Sequence, residues 1–487
     1  MLGLNRRREA SGRRRGAMVA VAFVTSSLLA LSPAVALEWT PDPNGTPGDV
    51  AGPSAEDCPT FTATPPAYDV FFNMFDMDTR GFGDAGNNTP WNFSKRIAQI
   101  VCGAAPNSRI DIGMFFIRAL GTVDRPESDP EQIWTALDYV VKERGVKVRL
   151  VLDGGGITSS LGKKQITARL GPNSPIVKGD LKWCTNGCYE TNTSKVLPNS
   201  INHEKFITIS DTIWPNSTTS GPHPAIYSTS ANISRGQTRS YMADGSLIYD
   251  DISMYDLFVK RFEGMRYCAV DKYCSLSGVN AASGQTLVDG KSMGGYYPNV
   301  WVDPVYRHPT DNGRGTTVSF SPQPQTARDY FAKQFDDVDC KVDGTVRVGM
   351  FRLSDARAEQ FARAAKRLAS GGCNVKIMLS PKGGMATITK ATASLLANAG
   401  IKVRCSATPL HTKYVLIGSR RNNEGRVLFG TANMSTSGLR YSDEHMLLID
   451  SRRTSPAYKD DARRLYAKFM AGWNEMNQGS TTCKPTT

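Results

Sequence analysis

Apolar positions along the chain switch between two spacings, and the order in which they switch is written twice. In the first half, the runs at 69–75 (DVFFNMF), 108–117 (SRIDIGMFFI) and 146–152 (VKVRLVL) are short, apolar and rich in β-branched and aromatic residues, as buried strands are. Between them, 92–101 (NFSKRIAQIV) and 129–145 (DPEQIWTALDYVVKERG) place apolar residues three and four apart and predict helices, the second with an acidic start and a glycine stop. A helical stretch near 158–170 leads to strands at 181–184 (LKWC), 203–209, 225–232 (AIYSTSAN) and 246–250 (SLIYD), then to a closing helix at 252–265.

The second half runs through the same order. Strands are predicted at 316–322 (TTVSFSP), 344–353 (GTVRVGMFRL), 374–380 (NVKIMLS), 401–405 (IKVRC), 411–417, 426–433 (RVLFGTAN) and 445–450 (HMLLID). Helices are predicted at 326–335, 355–372, 388–400 and 457–475. Alternating strands and helices that finish on a run of strands point to α/β architecture. The expected fold is two duplicated α-β-α lobes, each a mixed sheet flanked by helices, related by a pseudo-two-fold axis with the active site between them. The boundaries are a leader at 1–36, an N-terminal extension at 37–65, a first lobe at 66–274 and a second lobe at 315–487. Residues 275–314 are rich in Gly, Ser, Pro and Asn with interspersed aromatics, which makes them a linker and a possible lid.

Composition adds little to the fold: 40% hydrophobic and 21% charged residues in 487 are ordinary for a globular protein. The first 36 residues are not. A basic NRRREASGRRR, an apolar AMVAVAFVTSSLLAL and the small-x-small end at Ala34-Val35-Ala36 have the layout of an export signal, and the paired arginines suit a twin-arginine route. Ser26, Ser27, Ser32 and Pro33 keep the apolar run below the ~20 residues of a spanning helix. A secreted protein is expected. The leader holds six Arg and one Glu, so its removal takes the net charge from +13 to +8, a mild bias toward anionic partners. All ten cysteines follow Ala36, as a disulfide framework requires. Cys184/Cys188 and Cys268/Cys274 are close enough to clip local loops, and Cys373 and Cys405 flank strands that they could staple together. Reading CTNGC as half a zinc site fails for want of a second pair at ligand spacing.

The chain has five histidines, yet two open the same motif: NHEKFITIS at 202–210 and LHTKYVLIG at 410–418. Residues two apart on a strand share a face, so His203 projects with Lys205 and His411 with Lys413, while Glu204 and Thr412 face away. Downstream of the first copy lie Ser230, Asn232 and Asp244; downstream of the second, Thr431, Asn433 and Glu444, in the same order. One such match would be chance, and four together are a duplication. Two imidazoles, two ammoniums, two amides and two hydroxyls suit phosphodiester cleavage with no metal and no cofactor. Lysines and asparagines take the non-bridging oxygens, one histidine attacks, and the other protonates the leaving alkoxide. Asp244 and Glu444 are placed to orient the imidazoles. His445 is assigned to the sheet, and His223 and His308 to surface loops.

These motifs resemble the phospholipase D superfamily, whose H-x-K-x4-D signature occurs twice per active site, each copy followed by a G-S/T-x-N segment. The resemblance covers nearly all of the chain after the leader and is similar to the layout of secreted actinobacterial phospholipases D. It implies His203 as nucleophile, His411 as general acid, Lys205, Lys413, Asn232, Asn433, Ser230 and Thr431 around the phosphate, and glycerophospholipid as substrate. The signature Asp falls on Ser210 in one copy, with Asp211 one place late, and on Gly418 in the other. The implied partner is phospholipid at a membrane or micelle surface, with nucleic acid the alternative substrate. A monomer with no stable protein partner is expected.

Overall fold

The computed structural model describes residues 64–73, 91–117, 129–154, 181–184, 201–214, 221–234, 241–270, 313–323, 328–381, 388–419 and 424–483, with 58, 166, 174, 180, 187–188, 237, 287–288, 291–292 and 306–307 between them. The leader at 1–36 and the aromatic stretch at 294–305 lie outside the described residues. So do Cys274 and most of the helical stretch near 158–170, of which only Ile166 is described, in helical conformation.

The first half forms a seven-stranded mixed sheet. Its strands are β1 (Tyr68–Phe72), β2 (Arg109–Met114), β3 (Lys147–Asp153), β4 (Leu181–Cys184), β5 (Lys205–Ile209), β6 (Ala225–Thr229) and β7 (Asp244–Tyr249), in the spatial order β1-β7-β6-β5-β2-β3-β4. Only β2/β3 and β3/β4 run parallel. The helices are α1 (Trp91–Cys102), α2 (Asp129–Arg144) and α3 (Ile252–Val270). α1 buries Phe93, Ile97, Ile100 and Val101, the i, i+4, i+7, i+8 stripe of a helix lying on a sheet. α2 stops at Gly145, whose φ of +65° suits glycine far better than a residue with a Cβ.

The second half repeats that sheet. A hairpin of β8 (Leu287–Val288) and β9 (Lys291–Ser292) and the short β10 (Tyr306–Arg307) precede β11 (Thr316–Ser321), β12 (Thr345–Met350), β13 (Asn374–Leu379), β14 (Val403–Cys405), β15 (Lys413–Gly418), β16 (Gly425–Gly430) and β17 (Glu444–Asp450), with β18 (Thr481–Thr482) last. The order β11-β17-β16-β15-β12-β13-β14 reproduces the first sheet strand for strand, parallel at the same two pairings, and β10 and β18 extend its edges. Its helices are α4 (Tyr330–Lys333), α5 (Asp355–Ser370), α6 (Lys390–Ala397) and α7 (Pro456–Asn477). The helix expected at 326–335 thus contracts to a single turn around the buried Tyr330 and Phe331. No described helix is long and apolar enough to cross a membrane.

Each closing helix reaches the other half: α3 touches β11, and α7 packs on β1 as well as on β12, β15 and β16. One apolar cluster therefore mixes Phe206, Phe258 and Phe262 with Tyr414, Phe429, Phe469 and Trp473. Two further clusters serve one half each.

Four disulfides join described cysteines: Cys58–Cys102, Cys184–Cys188, Cys340–Cys373 and Cys405–Cys483. The local clip at Cys184–Cys188 is as expected, but Cys373 and Cys405 do not bond each other. β13 and β14 are parallel with Leu379 beside Cys405, while Cys373 precedes the far end of β13. Six residues of extended chain, roughly 20 Å at strand rise, keep the two sulfurs apart.

Candidate active site

β5 and β15 are central strands, buried on both faces, and each begins two residues after its histidine. His203 and His411 stay outside the ladders because their backbones are engaged across the halves. The His203 amide donates to the Asp443 carbonyl at 2.9 Å, and the Asp443 amide to the Ile201 carbonyl at 3.0 Å. Equivalently, the His411 amide donates to the Met242 carbonyl at 2.7 Å, and the Met242 amide to the Pro409 carbonyl at 2.8 Å. These two seams bring the expected residues together. Lys205 and Lys413 are fully buried, and their ammoniums donate to the carbonyls of His203 (2.8 Å) and His411 (2.6 Å). The histidines keep slight exposure, 9% and 6%, where both lysines have none.

The second ring nitrogens have unlike partners. His203 Nδ1 lies 2.8 Å from Glu444 Oε2, a carboxylate of the opposite half. His411 Nδ1 lies 2.5 Å from the Ser230 carbonyl and 2.9 Å from Lys413 Nζ. Asp244 does not take up the ring-orienting position expected of it. The sheets place it one residue out of register with Glu444: Asp244 pairs with Phe72 as His445 pairs with Phe320, so Ala243 is the counterpart of Glu444. Both Asp244 carboxylate oxygens are buried without a hydrogen-bond partner. Its backbone, not its side chain, binds the loop: the Asp244 amide donates to Ser230 Oγ at 2.9 Å, and its carbonyl accepts from the hydroxyls of Thr229 and Ser230. Thr431 matches Ser230, binding the His445 backbone through amide and hydroxyl.

Asn232 and Asn433 follow Ser230 and Thr431 in the loops after β6 and β16, each with its amide oxygen buried and unpaired. Asn232 Nδ2 donates to Gln237 Oε1 at 2.9 Å. Gln237 was not singled out in the sequence, and neither were two equivalent phenylalanines. The Phe115 ring lies 5.4 Å from His203 and 5.7 Å from Lys205 Nζ. The Phe351 ring lies 4.9 Å from His411 and 5.4 Å from Lys413 Nζ. The repeated GMFF and GMFR at the ends of β2 and β12 were the available signal. His223, expected at the surface, is half-buried, with Nδ1 3.1 Å from Asp250 Oδ1. His445 lies in β17 as expected, fully buried.

Burial governs the protonation of this cluster. It lowers both imidazoles well below the usual histidine range, and the neighbouring lysines push them further the same way. Lys205 is pushed down to about 7 by burial, with Glu444 and Glu204 opposing. Lys413 is lowered by burial and by Lys205. Burial raises Glu444 against the pull of the lysines, and raises Asp244 to about 7 against Ser230 and Lys413. Two neutral imidazoles beside two desolvated ammoniums make a site whose charge is completed by an anion. Among the described residues no three His, Cys, Asp or Glu come together to hold a metal.

The signature Asp has different substitutes in the two copies. Ser210 Oγ accepts from the Arg109 amide at 2.8 Å, so a hydroxyl fills the place. At Gly418 there is no room: an added Cβ would lie 2.5 Å from the Glu424 carbonyl oxygen and 2.6 Å from Tyr466 Oη.

Two mixed sheets of identical order, joined at seams that each present a histidine and a lysine, define a duplicated α/β scaffold. Residues 341–466, which carry the second motif whole, match the family model described as cardiolipin synthase, PLD-like domain. The crystal structure of phosphatidylserine synthase from Haemophilus influenzae Rd KW20 is similar at TM-score 0.51 and 13% identity, over 87% of this chain and 89% of that one. The phospholipase D family member Nuc from Salmonella typhimurium is matched at TM-score 0.27 and 16% identity, over 35% of this chain and 97% of that one. Yeast tyrosyl-DNA phosphodiesterase is matched at TM-score 0.40 and 10% identity, over 79% and 91%. No curated protein matches the chain. Residues 341–466 thus match a PLD-like domain, and the likeness to phosphatidylserine synthase extends the same fold over both halves of the chain.

Proposed function

We propose that this is a secreted phosphodiesterase of phospholipase D type, cleaving the distal phosphodiester of glycerophospholipids and passing the phosphatidyl group to water or an alcohol. The observation that carries the reading is the pairing of two neutral, slightly exposed histidines with two buried lysines at equivalent seams. A phosphodiester anion returns to Lys205 and Lys413 the counter-charge that burial denies them. Nδ1 of His203 is the donor toward Glu444, which leaves the Nε2 lone pair to attack phosphorus. The bound phosphodiester anion offsets the lysines and lets His411 take up a proton as imidazolium. As the P–O bond to the head group breaks, its Nε2–H gives that proton to the departing oxygen and leaves a neutral ring whose Nδ1 still donates to the Ser230 carbonyl. His411 then takes a proton from water, the hydroxide oxygen bonds phosphorus, and the N–P bond breaks to release phosphatidate and restore His203. The disulfides and the leader favour an oxidising destination outside the cell.

The test is incubation of the purified chain, from residue 37 onward, with phosphatidylcholine vesicles and separately with plasmid DNA. Free choline, diverted to phosphatidylethanol when ethanol is present, is expected. DNA cleavage without lipid turnover would replace this reading with a nuclease, and no turnover of either with a binding module. The lysines stand where other phosphoryl-transfer sites place a metal ion, so EDTA should leave the rate unchanged. A rate abolished by EDTA and restored by a divalent ion would sink the mechanism.

A further inference from the structure

His203 and Glu444 are each followed in the chain by a residue that turns to the other side of the same seam: Glu204 and His445. These two also meet, so the dipeptides 203–204 and 444–445 exchange bonds reciprocally. On the site side, His203 Nδ1 meets Glu444; on the far side, His445 Nδ1 lies 2.5 Å from Glu204 Oε2. Glu204 Oε1 accepts from Arg261 Nε of α3 at 2.8 Å, and another Arg261 nitrogen donates to the Ser321 carbonyl at 2.6 Å. That guanidinium lies 3.9 Å from Asp443, whose Oδ2 accepts from the Cys188 amide at 2.5 Å. His445 Nε2 lies 2.7 Å from Ser228 Oγ, and the rings of Phe206 and Phe258 stand edge-on to the imidazole. Glu204, Arg261, Asp443 and His445 are all completely buried.

Charges so buried are tolerable only with their partners in place, so the network exists only when the seam is closed in register. Among the described residues the other seam has nothing comparable. Thr412 stands at the position of Glu204 and reaches only Met476 Sδ, at 3.9 Å, and Asp244, whose carboxylate oxygens have no hydrogen-bond partner, stands at that of His445. The duplication is therefore asymmetric behind the histidines. Glu204 also acts on the site itself, its charge raising both Glu444 and Lys205.

We propose that Glu204 and His445 are a positioning pair for the attacking histidine: their bond across the seam fixes 203–204 against 444–445 and so holds the His203 ring on Glu444. This rests on the reading of His203 as nucleophile. The pair serves formation of the phospho-enzyme, which needs His203 aligned, and not its hydrolysis, which His411 conducts.

Two substitutions at one position separate the ring's two bonds. In His445→Asn the amide nitrogen stands where Nδ1 stood and keeps the bond to Glu204; in His445→Gln it reaches the Nε2 position and loses that bond. A p-nitrophenyl phosphodiester of choline reports the first step as a burst of nitrophenolate, and decay of the isolated adduct reports the second. His445→Gln should slow the burst about 10- to 100-fold, as misplacing a reacting group does, with KM and adduct decay little changed. His445→Asn should recover most of the loss. Ser228→Ala, which spares the Glu204 bond and should fold readily, is expected to leave the burst within about twofold of wild type. A wild-type burst in His445→Gln, equal loss in the Gln and Asn variants, slowing of both steps together, or a large loss in Ser228→Ala would each overturn the proposal. A wild type with turnover but no adduct would instead remove the nucleophile reading beneath it.

Discussion

His203 Nδ1 faces a carboxylate, whereas His411 Nδ1 faces a peptide carbonyl beside an ammonium. A carboxylate stabilises the cationic ring of a phosphohistidine; a site that disfavours imidazolium makes a strong general acid. Such an acid matters most for a poor leaving group, and nitrophenolate needs little help. His411→Ala should therefore still form a phospho-enzyme from a p-nitrophenyl ester and accumulate it, and His203→Ala should form none. Intact-mass spectrometry decides this, and the opposite pattern would reverse the roles. Asp244 carries a second expectation. Its folded-state pKa, about 7, lies above that of a free carboxylate, so its contribution to stability is complete below about pH 4 and is lost as pH rises through 7. Asp244→Asn should thus be more stable than wild type at pH 8, by on the order of 1.4 kcal/mol for every pH unit that separates the folded and unfolded pKa values, with the gain fading toward pH 4. A gain independent of pH would mean that the carboxyl titrates alike in the folded and unfolded chain and that burial does not raise it.

At the scale of elements, period and order were legible because strands and helices impose their spacing locally. The H-x-K strands, the duplication and the site set of histidines, lysines, hydroxyls and asparagines could all be read directly. What was illegible was decided between elements. Both H-x-K strands start two residues late because His203 and His411 bond the opposite half. The cysteine partners depend on strand direction, which spacing does not encode. Asp244 and Glu444 look equivalent in the chain, and a one-residue shift of register separates them in the sheets. Gly418 is a further case, since the missing signature Asp becomes intelligible only when β15 meets Glu424 and Tyr466 at the turn into β16. A Cβ there collides with a backbone oxygen as well as a side chain, so relief requires the hairpin to move. Gly418→Ala should cost about 1–3 kcal/mol, as overpacking does, measured by the denaturation midpoint. An unchanged midpoint would mean that the hairpin shifts freely.

Across the whole molecule the lobes are duplicates that do not close separately. α3 lies against β11 of the second sheet, and α7 against β1 of the first. The cluster between them draws Phe206, Phe258 and Phe262 from one half and Tyr414, Phe429 and Trp473 from the other. Across the same boundary run two backbone seams, the His203–Glu444 bond and the Glu204–His445–Arg261 network. Pulling the halves apart would bare aromatic surface and strand buried charges together, so neither half gains from unfolding the other first. Many chains of this length unfold domain by domain; this one should not. Calorimetry of the oxidised protein should give one endotherm whose van't Hoff enthalpy equals the calorimetric enthalpy. His445→Gln, which loosens one seam, should lower the midpoint without splitting the transition. Two resolved endotherms in the wild type would mean that each lobe closes its own core and that the seams only align the histidines.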